Sequence, residues 1–410
     1  MKTKKLNLIV TMFMLLTSTG VFAADTVKVA MIEMLSGPGA GIGTWLSHHF
    51  QWAVDQLNAS GGVLGAKVEV VEFDNKTSPQ EALLMLKRTR DEGIRFVFGG
   101  SSSNIAIALS DAIAKQNARD PSSVQIFLNY TGLDPSLTNE KCNFWHFRFD
   151  AHVGMKLEAL TNHVAAQKDL KKVYLLNQDY AYGQSVQKDF REMLKRKRPD
   201  IEIVGDELHA LQKVKDFAPY VAKIHASGAQ AVLTGNWGPD LALLVRASED
   251  AGLQANFYTL NAHFTGTPTA IGSSGVNRVL NVSPWHANAR DSRLEENYLG
   301  YKQRYNEEWN MLPVKIAVDM WAAAIAKAKS TSPVEVGKAL EGLRLDSGTG
   351  PMLMRADDHQ LLLPHYAYLF TKSGGEVKHD LEKLGFGFRT EARYESDTLA
   401  MPSSCKMERP

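Results

Sequence analysis

The chain has 410 residues, with 46 lysines and arginines against 45 aspartates and glutamates and a formal net charge of +1. A balance this even gives no electrostatic basis for binding nucleic acid, and two cysteines, Cys142 and Cys405, offer too few ligands at too wide a spacing for a metal. The length exceeds what one ordinary core accommodates, so two domains are expected.

Lys2, Lys4 and Lys5 form a basic start, Leu6 to Leu16 an almost wholly apolar stretch, and Val21, Phe22 and Ala23 a small-residue exit. Together they read as a secretory signal peptide over residues 1–23, cleaved so that the mature chain starts at Ala24 or Asp25. An uncleaved anchor is the competing reading, but the apolar run is shorter than the ~20 residues that a span requires. Removal of three lysines takes the net charge from +1 to −2. Export puts both cysteines in an oxidising compartment. A disulfide tying the C-terminal tail to the body and a pair of buried thiols are the two readings open.

The first mature strand, Val27 to Met31, leads into a loop containing Ser36, Gly37, Gly39, Gly41 and Gly43. From Gly37 or Gly39 the dinucleotide pattern requires glycine at Ile42 or Thr44, and no Gly-Lys-Ser/Thr follows, so neither nucleotide motif is present. Such donor-rich loops can still hold the carboxylate of a small ligand. Strand-like runs recur at Val68 to Phe73, Phe96 to Phe98 and Ile126 to Leu128, then at Val173 to Leu176, Ile201 to Val204, Ala231 to Leu233 and Phe257 to Thr259. Amphipathic helical patterns lie between them, at Phe50 to Asn58, Pro79 to Glu92, Ala106 to Lys115, Gly183 to Lys195, Phe217 to Ser227 and Asp240 to Ala251. The alternation predicts an α/β fold with parallel sheets, repeated once. The basic run Lys195 to Arg198 reads as a helix end, where cations suit the negative end of the dipole.

In open parallel sheets, ligands bind beyond the C-terminal strand ends. The loops there hold Ser101, Ser102 and Ser103; Asn129, Tyr130 and Thr131; Asp179, Tyr180 and Tyr182; Asn236 and Trp237; and Asn261, His263 and Phe264. Aromatic faces beside a few hydrogen-bonding groups make a small-molecule pocket. For one loop alone, caps and turns explain the residues equally well; five together point to a shared cleft. No His-Glu-x-x-His and no Gly-x-Ser-x-Gly occurs, the serine loop has no local base, and the histidines are scattered, so no enzyme and no metal or cofactor is expected.

The run Met34 to Gly43, the segment Asp55 to Gly65 with its Gly61-Gly62 turn, and Glu72 to Asn75 resemble the periplasmic substrate-binding proteins of branched-chain amino acid type ABC transporters, and the similarity continues along almost the whole mature chain. The resemblance implies a type I periplasmic-binding-protein fold: two Rossmann-like lobes with parallel-sheet cores, joined by a three-strand hinge and closing on a ligand. Carried onto this sequence, it gives residues 24–149 plus 281–363 as the first lobe and 150–280 plus 364–410 as the second. It also implies a Cys142–Cys405 disulfide, because one subgroup pairs a cysteine near the first crossover with one in the tail.

By the same resemblance Ser103, with Ser102 beside it, takes the ligand carboxylate, Tyr182 with Tyr180 close by stacks on the ligand, and Trp237 closes over it. The family's acidic partner for an α-ammonium falls at Asn261, its threonine at Leu133 with Thr131 two residues away, and an aromatic of the first glycine loop at Ile42. The expected ligand-binding set is Ser102, Ser103, Tyr130, Thr131, Tyr180, Tyr182, Trp237 and Asn261. A neutral amide holds a cation far less well than a carboxylate does. The expected ligand is therefore a carboxylate or amide with an apolar or aromatic body, either an aromatic or aliphatic acid or a branched-chain amino acid whose ammonium is met by Asp179, Asp240 or Glu33. The implied role is a monomeric periplasmic solute carrier delivering to ABC permease subunits in the inner membrane. A periplasmic sensor of the same fold, presenting its ligand to a signalling partner, is the alternative.

Overall fold

The computed structural model describes residues 26–289 and 292–410; the leader expected at residues 1–23 lies outside them. Five parallel strands form the first sheet: β1 (Val27–Glu33), β2 (Val68–Asp74), β3 (Phe96–Gly99), β4 (Ile126–Asn129) and β5 (His146–Arg148), in the order β2-β1-β3-β4-β5. Helices α1 (Ala40–Ala59), α2 (Pro79–Asp91) and α3 (Ser103–Arg119) make the crossovers. Local sequence accounts for their ends. Ser78 caps α2 by accepting from the Glu81 amide at 3.3 Å, Pro79 occupies the first turn, and Arg88 and Arg90 fill the last.

The chain then crosses through α4 (Val153–Ala166) into a second parallel set, β6 (Lys172–Gln178), β7 (Glu202–His209), β8 (Ala231–Thr234), β9 (Asn256–Thr259) and β10 (Val279–Ser283). These alternate with α5 (Ala181–Lys197), α6 (Ala218–Ser227), α7 (Pro239–Asp250) and the short α8 (Thr267–Ile271). The basic run closes α5: Lys197 Nζ lies 2.8 Å from Glu158, and the Arg198 guanidinium donates to the carbonyls of Gln167 and Leu170 at 2.8 and 2.9 Å. The charges thus hold α5 to the helix before it and to the following turn.

Beyond β10 the chain returns to the first lobe through α9 (Ser292–Tyr305), α10 (Leu312–Ala328) and α11 (Pro333–Leu340). On α10, Trp321 packs edge-on against Phe96 and Phe98 of β3, with ring centroids 5.2 and 5.7 Å apart, so a late segment completes the core of the first sheet. A small sheet of β11 (Arg344–Asp346), β12 (Pro351–Met354) and β13 (Leu361–Leu362) follows. The chain then re-enters the second sheet as the antiparallel strands β14 (His365–Lys372) and β15 (Phe386–Tyr394), giving the order β15-β14-β10-β9-β8-β6-β7. The result is a two-lobed α/β fold with a parallel core in each lobe. Among the described residues no helix is long and apolar enough to cross a membrane.

The tail, grouped with the second lobe in the sequence reading, does not end there. Leu399 is fully buried in the second core, but Ser403 Oγ donates to the Thr138 carbonyl at 2.8 Å and Arg409 lies 2.7 Å from Glu341, both in the first lobe. Cys405 is joined to Cys142 in a disulfide, with Cα atoms 5.6 Å apart, so the two thiols are paired. The bridge closes a loop of 263 residues and fixes the tail where the strands alone would let it leave. Cys405→Ser should lower the unfolding free energy by about 2–4 kcal/mol. Urea titration with and without reductant reads this, and an unchanged midpoint would mean that the tail contributes only its polar contacts.

Candidate ligand-binding site

The loops that follow β1, β3, β4, β6, β8 and β9 meet between the lobes around a cavity of about 480 Å³ of atom-free space. Its first-lobe wall is Met34, Ile42, Leu46, Ser101, Ser102, Ser103, Thr131 and Leu133, and the second lobe supplies Tyr180, Tyr182, Trp237, Asn261 and Phe264. Of the eight side chains expected from the sequence, Ser102, Ser103, Thr131, Tyr180, Tyr182, Trp237 and Asn261 line it.

Tyr130 does not. Its amide donates to the Gly99 carbonyl at 3.2 Å, carrying the strand pairing one residue past β4 and turning its ring inward. The ring is fully buried against Phe50, centroids 6.3 Å apart, on the core side of the sheet. The same alternation presents its neighbour Thr131 to the cavity.

The serine loop owes its shape to two glycines. Gly99 and Gly100 have φ of 145° and 114°, and a Cβ on them would stand 2.4 Å from the Ile32 carbonyl oxygen and 2.5 Å from Asn129 Oδ1. The backbone therefore runs close over β1 and β4 and delivers Ser101 to Ser103 to the start of α3. Ser102 occupies the cap position without making a side-chain cap, and Ser103 Oγ accepts from the Asp134 amide at 3.2 Å. One helix of the second lobe, α5, also begins at the cavity without a side-chain cap, after Tyr180, whereas α7 starts at Gly238 and Pro239, which line a separate pocket, and carries Asp240 in its first turn. Two helix N-termini thus meet at the cavity, and their dipoles favour an anion. The first glycine loop acts differently from the donor cradle its sequence allows: the Leu35 and Ser36 amides are spent on Asp74 Oδ1 at 2.9 and 3.2 Å, and the loop presents Ile42 as an apolar wall.

The second lobe forms a hydrogen-bonded aromatic roof. Trp237 Nε1 donates to the Tyr180 hydroxyl at 2.8 Å, and the Tyr180 and Tyr182 rings lie 5.8 Å apart. Asn261 Nδ2 donates to the Tyr182 hydroxyl at 2.8 Å and to the Gly235 carbonyl at 2.9 Å. The carbonyl partner requires the amide nitrogen on that side, so Asn261 keeps Oδ1 as its spare group. Across the cleft Ser185 Oγ donates to Asp134 Oδ2 at 3.0 Å, linking α5 to the first lobe, and Trp237 and Tyr182 are only 6% and 3% exposed. The lobes are closed on one another.

Among the described residues none that lines the cavity carries a charge. The three acidic candidates for an ammonium partner all lie elsewhere. Asp179 faces solvent and pairs with Gln184 at 2.8 Å, and Asp240 is buried behind the roof on Gln178 at 2.7 Å and the Gln212 amide at 2.9 Å. Glu33 lies beneath the serine loop, hydrogen-bonded to Ser101 and beside Tyr130. Burial pushes its carboxyl up to about 8, with the Tyr130 and Ser101 hydrogen bonds only partly opposing the shift. At neutral pH it is a neutral acid supporting the loop. Phe264, expected in a cleft loop though not among the eight ligand-binding residues, lines the cavity, whereas Met34 and Leu46 are not marked in the sequence, because an apolar side chain lining a cavity has the same pattern as one in a core.

A family model described as a periplasmic binding protein matches residues 26–376. The chain is 29% identical over 403 residues to the Leu/Ile/Val-binding protein homolog 4 of Brucella abortus, covering 95% of this chain and 94% of that one. It is 24% identical over 334 residues to the leucine-, isoleucine-, valine-, threonine-, and alanine-binding protein of Pseudomonas aeruginosa, covering 80% and 85%. The crystal structure of the protein of that same description from Brucella ovis, in a closed conformation, superposes with a TM-score of 0.86 at 27% identity, covering 94% of this chain and all of the other. These relatives are binding proteins, not enzymes.

Folded Glu33 keeps its proton to about pH 8, whereas an unfolded glutamate releases it near 4.5. Between those values the native state holds more protons, so this group's contribution to stability falls as pH rises. The difference in unfolding free energy between wild type and Glu33→Gln, followed from pH 5 to about 8.5, should move against the wild type as pH rises. A difference flat with pH would show that Glu33 ionises normally.

Proposed function

The chain belongs to the periplasmic binding protein family, and on that basis we propose that it is the extracytoplasmic solute-binding component of an ABC importer, capturing a small carboxylate with an apolar or aromatic body and no ammonium group. The observation that carries this reading is the cavity's charge pattern: two uncapped helix N-termini adjoin it, and among the described residues no acidic side chain lines it. A carboxylate gains from the amides and dipoles, whereas an α-ammonium finds only neutral acceptors, such as Asn261 Oδ1, in place of a charged partner. The relatives' names make branched-chain amino acids the competing ligands.

In this proposal Ser102, Ser103 and Thr131 hold the carboxylate on the first lobe, and Met34, Ile42, Leu46 and Leu133 take up the apolar body. Tyr180, Tyr182 and Trp237 descend with the second lobe, and Asn261 reads a neutral polar edge. We divide the chain into residues 24–149 with about 284–363 and residues 150–283 with 364 to about 400: the boundary at 281 expected from the sequence would cut β10, which pairs with β9 and β14 in the second sheet, and the last residues fasten back on the first lobe. Closure is a shift in population, driven only by contacts that exist in the closed form. The Asp134–Ser185 bond and the roof over the ligand are such contacts. The closed monomer then docks on inner-membrane permease subunits.

Calorimetric titration with leucine and with its deaminated counterpart, 4-methylpentanoate, tests the charge argument. The amine-free acid should bind tighter by about tenfold or more, one charge-assisted interaction's worth; tighter leucine binding would overturn the ligand class. Ser103→Ala should weaken the bound acid by ~1–3 kcal/mol through loss of a donor to a buried carboxylate. Trp237→Ala should cost at least as much if the ring covers ligand, whereas equal affinities would confine the indole to holding Tyr180.

A further inference from the structure

Behind the main cavity lies a smaller chamber, bounded in common with it by Thr131, Leu133, Asn261 and Phe264. Its far walls differ in chemistry from the charge-free main cavity: they include Asp150, Lys156, His263 and Asn310. Lys156 Nζ lies 2.6 Å from Asp150 Oδ2, and both side chains are 4% exposed. Asp150 Oδ1 accepts from the Ala151 amide at 2.7 Å. The pair therefore brings one positive and one negative charge to the chamber, and they cancel.

Several polar atoms there are unspent. Asn310, 3% exposed, donates through Nδ2 to the His263 carbonyl at 3.3 Å, but its Oδ1 is buried without a partner among the described residues. Thr131 Oγ1, on the dividing wall, is also buried without a partner. His263 Nδ1 lies 3.1 Å from the Asn281 amide nitrogen, which donates to it because that nitrogen carries only hydrogens. The ring proton of neutral His263 is then on Nε2. Lys156 uses one of its three N–H groups on Asp150. Buried polar atoms without partners are uncommon in folded proteins and mark where something polar is received.

We propose that this chamber is a specificity subsite for the far end of the ligand, and that it selects a neutral group with both a hydrogen-bond acceptor and donor, a terminal carboxamide above all. The inference rests on the proposed function, since it places the ligand's carboxylate on the serine loop and its far end past the dividing wall. Lys156 and His263 supply donors to the amide oxygen, while Asn310 Oδ1 accepts from its nitrogen. A second carboxylate would upset the balanced Asp150–Lys156 pair in a desolvated space. A methyl terminus would leave the chamber's donors and acceptors unpaired.

The test uses the full mature chain and homologous series of straight-chain acids matched in length, each as the alkyl acid, the ω-carboxamide acid and the ω-dicarboxylate, titrated by calorimetry. At the best length the carboxamide should bind about tenfold or more tighter than either of the others, as the loss of one or two buried hydrogen bonds implies. In Asn310→Leu, with folding verified by its melting transition, that preference should collapse to about twofold or less. An alkyl acid or a dicarboxylate that binds as tightly as the carboxamide overturns the subsite, as does a preference that survives Asn310→Leu. If the preference is flat while Ser103→Ala still weakens every probe, the subsite fails and the serine-loop site stands; if no acid binds the wild type at any length, both fail.

Discussion

The parallel strands of both cores point at the cleft. In a parallel sheet every strand ends at the same edge and every following helix begins there, so facing two such edges toward each other gathers loops and unspent helix amides from widely separated sequence into one space. Ser103, Thr131, Tyr182, Trp237 and Asn261 follow β3, β4, β6, β8 and β9, and this topology alone brings them together. It also sets the sign of the potential, because helices enter by their positive ends. The chain then declines to offset that potential with a carboxylate: Glu33 is held beneath the loop with its proton on, and Asp240 is turned behind the roof.

Rigid support and mobile closure are divided between the lobes. The first-lobe floor is pinned by Gly99 and Gly100 passing over neighbouring backbone and by the Asp134 amide on Ser103. The roof is a hydrogen-bonded unit, Trp237 to Tyr180 and Tyr182 to Asn261 to Gly235, that can travel as one piece. At the crossovers, the fully buried Arg148 donates to the carbonyls of Gly132 and Asp134 at 3.1 and 2.7 Å and to Gln360 at 2.8 Å. It thereby ties two connecting segments to the loop whose Asp134 reaches Ser185. The disulfided tail adds a covalent strap across the same side.

Much of this was legible in the sequence. The strands and helices expected through Ala251 lie where hydrophobic periodicity puts them, because each parallel strand is a short apolar run and each helix shows one apolar stripe, but α1 begins ten residues before Phe50 and β5 and α4 have no counterpart in the sequence reading. Seven of the eight expected site residues share the cavity, since a residue just past a parallel strand has little choice but to face the cleft. Tyr130 was misplaced by one residue of alternation, a distinction that depends on how far strand pairing runs past β4. The later elements were beyond local reading. Helix α10 is buried on most of its surface, including Trp321 at 0% exposure, so its polar face narrows to Lys315, Asp319 and Lys327, and β11 to β13 are only two to four residues long. The apolar liners and the chamber containing Lys156 and Asn310 arise from tertiary packing across the crossovers, which no local pattern encodes.

The most direct test of the central claim, that the cleft is built for an anion without a compensating ammonium, is identification of the molecule that travels with the protein. Native mass spectrometry of gently purified mature chain, followed by denaturing extraction, should release a small carboxylic acid that lacks an amine. Release of a free amino acid at stoichiometric occupancy would contradict the account, because it would mean that neutral acceptors around Asn261 suffice to hold a buried ammonium.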